Sequence, residues 1–150
     1  MGEFITGVLV ENKDGATYQG IIYDRFLKLR LLDGQMLSIF DPIGPISTEL
    51  KTGETYELIL VTLATAVKYF SAEAPPLESS QWQATVVKPK WRALEGSYQR
   101  ARPQLYSHDR VLLASSLGHL LMNPGDIGTP VSLGGVVQWN NVRLDLYAVV

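Results

Sequence analysis

The 150-residue sequence predicts an all-β protein: two small barrel or meander units, of OB or SH3 size, joined by a Pro-Pro linker, with room for one short helix. Three observations carry that expectation. Leu27-Lys28-Leu29-Arg30-Leu31 alternates strictly, so the leucines fall on one face of a strand and the cations on the other. Val142, Leu144 and Leu146 repeat the same period against Arg143, Asp145 and Tyr147. Short runs rich in β-branched, aromatic and leucine side chains recur between clusters of turn-forming residues.

Taken in order, Phe4 to Val10 reads as the first strand and Asn12-Lys13-Asp14-Gly15 as the loop that follows. Tyr18 to Tyr23, Leu27 to Leu32 and Met36 to Phe40 continue a meander, with Asp33-Gly34 suited to the positive φ angles of a two-residue turn. Tyr56 to Phe70 has the length of a helix, but Ile59, Val61, Thr62 and Thr65 favour a strand through about Thr65. Residues 71–81 contain Pro75-Pro76 and no apolar period, which makes them the linker between a unit at 1–70 and another at 82–150. Trp82 to Val87, Val111 to Ser115 and Gly118 to Met122 read as strands of the second unit. Asn140-Asn141 suits a hairpin turn from Val136–Trp139 into the last strand.

Between the strands of the second unit, Pro89 to Asp109 exceeds the usual ceiling of about 12–15 residues for a loop. A short helix fits from Arg92 to Arg102, limited by Gly96 and Pro103. A shift of 84 positions superposes Leu29 on Leu113, Gly34 on Gly118, Leu37 on Leu121 and Ile43-Gly44 on Ile127-Gly128. It also carries Leu60 onto Leu144 and Ala64 onto Ala148. Two barrels, or one with pseudo-symmetry, give this order.

Composition excludes several classes of chemistry. With no Cys and only His108 and His119, neither a metal site nor a cofactor is expected, and His119 reads as a partly buried strand residue. Gly15 to Gly20 lacks the Lys of a phosphate-cradling loop. Ser107-His108-Asp109 is consecutive, and consecutive side chains diverge, so it reads as no triad. Asp41 and Asp126 read as turn residues and Asp145 as an outward strand residue, although Asp24, Asp41, Asp126 and Asp145 leave a carboxylate hydrolase as one alternative. The start Met1-Gly2 with Thr6 matches a bare myristoylation pattern but reads better as the approach to a strand. No secretion signal and no apolar run long enough to span a bilayer is present, so the expected location is cytoplasmic.

Charge is unevenly placed. Thirteen Lys and Arg against fifteen Asp and Glu give −2 overall and a pI near 5.6, unlike a generic duplex binder. Residues 1–80 are acidic, whereas Lys88, Lys90, Arg92, Arg100, Arg102 and Arg110 face only Glu95 and Asp109. Trp91, Tyr98 and Tyr106 are interleaved with these cations, the combination that binds single-stranded nucleic acid by stacking and phosphate neutralisation. These nine cations and rings are the candidate binding residues. The expected function is a non-catalytic module acting through protein contact or self-association; the alternative is a single-stranded nucleic-acid or polyanion binder using residues 88–110.

Overall fold

The computed structural model describes residues 3–42 and 46–150, so Gly2 and the Ile43-Gly44 match of the 84-residue shift lie outside the described residues. The chain is all-β. Its strands are β1 (Ile5–Asp14), β2 (Thr17–Tyr18), β3 (Ile21–Ile22), β4 (Arg25–Arg30), β5 (Met36–Asp41), β6 (Thr55–Phe70), β7 (Trp82–Trp91), β8 (Arg100–Ala101), β9 (Arg110–Ser115), β10 (Gly118–Met122) and β11 (Val136–Val149). Two short helices interrupt them, α1 (Pro103–Ser107) and α2 (Pro124–Ile127). Residues 71–81 hold neither helix nor strand, and Gln138 Nε2 donates to the Pro75 carbonyl at 2.8 Å.

All strands except the β2–β3 hairpin join one nine-stranded sheet, which closes on itself twice. In one ring β1 pairs with β4, β4 with β5, β5 with β11 through Phe40 and Asp145, β11 with β6, and β6 with β1. In the other, β7 pairs with β9, β9 with β10, β10 with β6, β6 with β11, and β11 with β7. The connectivity is the same in both, down to one parallel step each, and the β6–β11 ladder is the shared wall. Val61 and Asp145 are 84 positions apart and are cross-strand partners in that ladder. Closure gives every strand of the two rings a neighbour on each side, although β5 meets β11 only at the Phe40–Asp145 pair.

The leucine alternation holds on β4: Leu27, Leu29 and Leu31 are buried, while Lys28 and Arg30 are exposed. The turn after it differs in kind. Gly34 N–H donates to the Leu31 carbonyl and Leu31 N–H to the Gln35 carbonyl, so the loop spans Leu32-Asp33-Gly34 with only Gly34 at positive φ. That is a turn followed by a glycine bulge, for which Asp33 needs no left-handed backbone. Upstream, β1 continues to Asp14 instead of turning at Asn12–Gly15, and the reversal falls at Gln19 and Gly20, both at positive φ. Tyr18 to Tyr23 is accordingly the tip of a hairpin rather than one strand.

The last strand corrects three expectations. Asn140 and Asn141 do not turn; they pair with Thr65 and Ala64 inside a continuous β11. The register slips between Asn141 and Arg143, which inverts the alternation and leaves Val142 62% exposed while Leu144 and Leu146 are buried. Asp145 does not face outward either: it is 5% exposed, because β11 belongs to both rings and is covered on both sides. The helix also moves. Residues 100–101 form β8, and Pro103 opens α1 at its first turn, where its missing N–H costs nothing.

The β6 strand runs past Thr65 to Phe70 by means of a bulge. Lys68 pairs with Gln138 and Thr65 with Asn140, and between them exposed Ala66 adopts φ +51°. A left-handed alanine costs about 1–2 kcal/mol, more than the roughly 0.4–1 kcal/mol of unfolded-chain entropy that glycine adds. Ala66→Gly is therefore expected to raise stability by about 0.5–1 kcal/mol in urea unfolding, and a loss of stability would show that the bulge does not strain this residue.

Candidate functional site

Two surfaces gather chemistry, one on each ring. On the first ring the outward positions of β4 and β5 are cross-strand partners: Phe26 with Phe40, Lys28 with Ser38, Arg30 with Met36. The two phenylalanine rings lie 5.1 Å apart, and the Arg143 guanidinium sits 4.4 Å over the Phe40 ring. Arg143 comes from the β11 bulge and is held by Asp145 through Nε at 2.6 Å and Nη2 at 3.0 Å. That carboxylate keeps the guanidinium above its ordinary value against the opposing effect of burial. On β1, Glu11 binds Lys13 and, at 3.5 Å, Lys28. The Lys13 hydrogen bond is the largest influence on Glu11 and, with Lys28, holds its carboxyl below the ordinary value.

Between these groups lies a groove of about 610 Å³ whose wall includes Phe26, Met36, Phe40, Trp82 and Val142. Phe26, Met36 and Val142 are exposed, as are Tyr18, Ile21 and Tyr23 on the hairpin that β1 and β4 lead into. This face was not among the expected binding residues. Its signal was Phe26, an aromatic ring on the cation-bearing side of an alternating strand.

On the second ring the nine predicted residues separate. The 92–109 connection folds back over the outer side of β6, β9, β10 and β11, where Ala93 and Leu105 bury themselves with Ile59, Val61, Leu112 and Leu121. Trp91, Tyr98 and Tyr106 pack against that cluster; Trp91 meets Phe4 edge-on at 6.0 Å, and the two tyrosines stack at 6.5 Å. Burial pushes the Tyr98 hydroxyl above its ordinary pKa. Lys88, Lys90 and Arg92 are exposed at the edge of a cavity of about 340 Å³ that also includes Trp91 and Tyr98. Asp109 engages two of these cations, Lys90 at 3.4 Å and Arg92 at 2.9 Å. Arg100 pairs with Glu49 of the acidic half.

Arg102 and Arg110 are buried, with their guanidiniums 4.2 Å and 4.7 Å from the centre of the Tyr147 ring. Burial lowers the Arg110 pKa, with Tyr147 opposing and Arg102 adding to the effect.

Several residues considered for catalysis have structural partners, while Asp126 lies in the first turn of α2, where burial raises its carboxyl pKa. Ser107 Oγ does reach His108 Nδ1, at 2.9 Å, but Asp109 faces Lys90 and Arg92. Asp41 accepts from Ser47 N–H at 3.0 Å and Ser47 Oγ at 2.6 Å, and Asp24 accepts from the Ala16 N–H at 2.6 Å. His119 is half-buried on β10 with Nδ1 3.8 Å from Glu3. Among the described residues, no helix is long and apolar enough to cross a membrane.

No protein-family model and no curated protein matches the sequence. Among solved structures, the chain is similar to the molybdate-bound crystal structure of the cytoplasmic molybdate-binding protein ModG, at 14% identity and a TM-score of 0.39, over 96% of this chain and 94% of that one.

Proposed function

We propose that the chain is a non-catalytic interaction module that pairs with a second copy of itself through the outer face of β4 and β5. The observation that carries this reading is the exposed trio Phe26, Met36 and Val142 around an amphipathic groove. A face that meets its own copy across a two-fold axis must be self-complementary. Its charges suit that: Glu11 lies between Lys13 and Lys28, so the face presents both signs to a second copy. A standard interface takes about 800 Å² from each partner. That is a small share of the 8148 Å² surface of this chain.

Nucleic-acid contact draws less support. Of the nine basic and aromatic residues only Lys88, Lys90 and Arg92 are exposed, and Asp109 already occupies two of them. The matching connectivity of the two rings supports a further reading, that the chain arose by duplication of one β unit whose copies are offset by 84 positions.

Light scattering during size exclusion, from about 1 µM to about 1 mM, tests the pairing. The expected mass rises towards twice 16.6 kDa with concentration. The double variant Phe26→Ser, Met36→Ser should weaken the dimer about 30-fold or more, the equivalent of about 2 kcal/mol for a central anchor. A chain that stays monomeric throughout, or a dimer that tolerates the double variant, would overturn the reading.

A further inference from the structure

We propose that Arg102, Arg110 and Tyr147 form a binding site for a tetrahedral oxyanion carrying two negative charges, the chemistry of phosphate or sulfate. These residues are separate from the dimer face and belong to the other ring. Arg102 is 8% exposed and Arg110 4%. Yet Arg102 Nε and Nη1 and Arg110 Nε have no hydrogen-bond partner, and neither guanidinium has an ion-pair partner among the described residues. The Arg110 head is held by Nη1 donating to the Gln104 carbonyl at 2.9 Å and by the Tyr147 side chain, which leaves its Nε without a partner. Gln104 Oε1 is likewise buried without a partner.

Taking two cations that repel each other out of water, without a counter-charge, is unfavourable for each and worse for both. Lying over the Tyr147 ring offsets part of that through its π face. The carboxylates that could serve are committed elsewhere: Asp109 to Lys90 and Arg92, Asp145 to Arg143, Glu49 to Arg100. An arriving dianion would neutralise both charges and give the unpaired N–H groups their acceptors.

Guanidinium suits this task. Its planar fork presents paired donors at the spacing of oxyanion oxygens, and it stays charged at every accessible pH. The backbone also holds the site in place before any ligand arrives. Arg110 stands on β9 and Tyr147 on β11, while Arg102 follows β8 and donates its backbone N–H to the Tyr147 carbonyl at 2.8 Å.

The test uses the intact ¹⁵N-labelled chain in a low-salt chloride buffer, following arginine Nε–H resonances during titration with inorganic phosphate and with sulfate. The signals of Arg102 and Arg110, assigned with Arg102→Gln and Arg110→Gln, are expected to move saturably with either oxyanion and not with chloride at equal ionic strength. Arg110→Gln should weaken phosphate binding about tenfold or more, as befits loss of a charge-assisted donor. Arg92→Gln, on the exposed pair with Asp109, should bind as the parent does. Phenyl phosphate distinguishes the sources: binding like that of phosphate assigns an esterified phosphoryl group, and rejection assigns a free ion. If neither Nε–H signal moves, if chloride moves both equally, or if Arg92→Gln weakens binding as much as Arg110→Gln, the site does not exist. Should the substituted chains fail to fold, the titration of the parent protein decides alone.

Discussion

Trp139→Ala is expected to lower the unfolding free energy by about 3–5 kcal/mol, a large share of the roughly 5–15 kcal/mol that a folded domain possesses. Trp139 is fully buried on β11, where it pairs with Trp82 of β7, their rings 6.1 Å apart. Two effects add in the substitution. Removing the indole leaves a cavity in the shared wall between β6 and β11, which neither ring can collapse around without breaking the other's ladder. It also takes away the Nε1–H that donates to Thr62 Oγ1 at 3.1 Å, inside a chain that continues from the Thr62 hydroxyl to Asn141 Oδ1. Trp139→Phe separates the two: it keeps most of the volume and loses the donor, so about 1–2 kcal/mol should disappear. Urea unfolding followed by circular dichroism reads both losses. A Trp139→Ala cost below about 1.5 kcal/mol would mean that the shared wall is not where the stability resides.

How much of this was legible depends on how many sides of each strand are covered. On β4 the alternation could be read directly, because one face meets solvent and the other the core. On β11 the same pattern misled, because a strand common to two rings is buried on both faces around Leu144, Asp145 and Leu146. Its register slips beside Val142 have no local sequence signature. Asn140-Asn141 has good turn chemistry, but pairing with Thr65 and Ala64 overrides it. The composition of the 88–110 segment announced a binding surface. What it did not reveal is that Ala93 and Leu105 would fold the segment against the sheet, turning Trp91, Tyr98 and Tyr106 inward and burying two of its arginines. The β4–β5 face joins residues far apart in sequence. Phe26 was readable as an outward residue, but only the Phe40–Asp145 bridge brings Arg143 over Phe40.

That bridge carries the second large effect. Arg143→Ala is expected to cost about 2–3 kcal/mol, more than a surface ion pair and less than a fully buried one. Asp145 is 5% exposed while the side chain of Arg143 is 44% exposed, so water screens one end of the pair and not the other. Removing the arginine strands the carboxylate at the point where β5 closes the first ring, and it also removes the guanidinium from the Phe40 face, worth about 0.5–1 kcal/mol by itself. Substituting both partners, Arg143→Met with Asp145→Leu, leaves no uncompensated charge and should recover at least half of the loss, which additive single effects would not. The double-mutant cycle in urea therefore has a definite sign: a positive coupling of about 1 kcal/mol or more is expected, and strict additivity would show that Asp145 does not depend on Arg143 for its place in the wall.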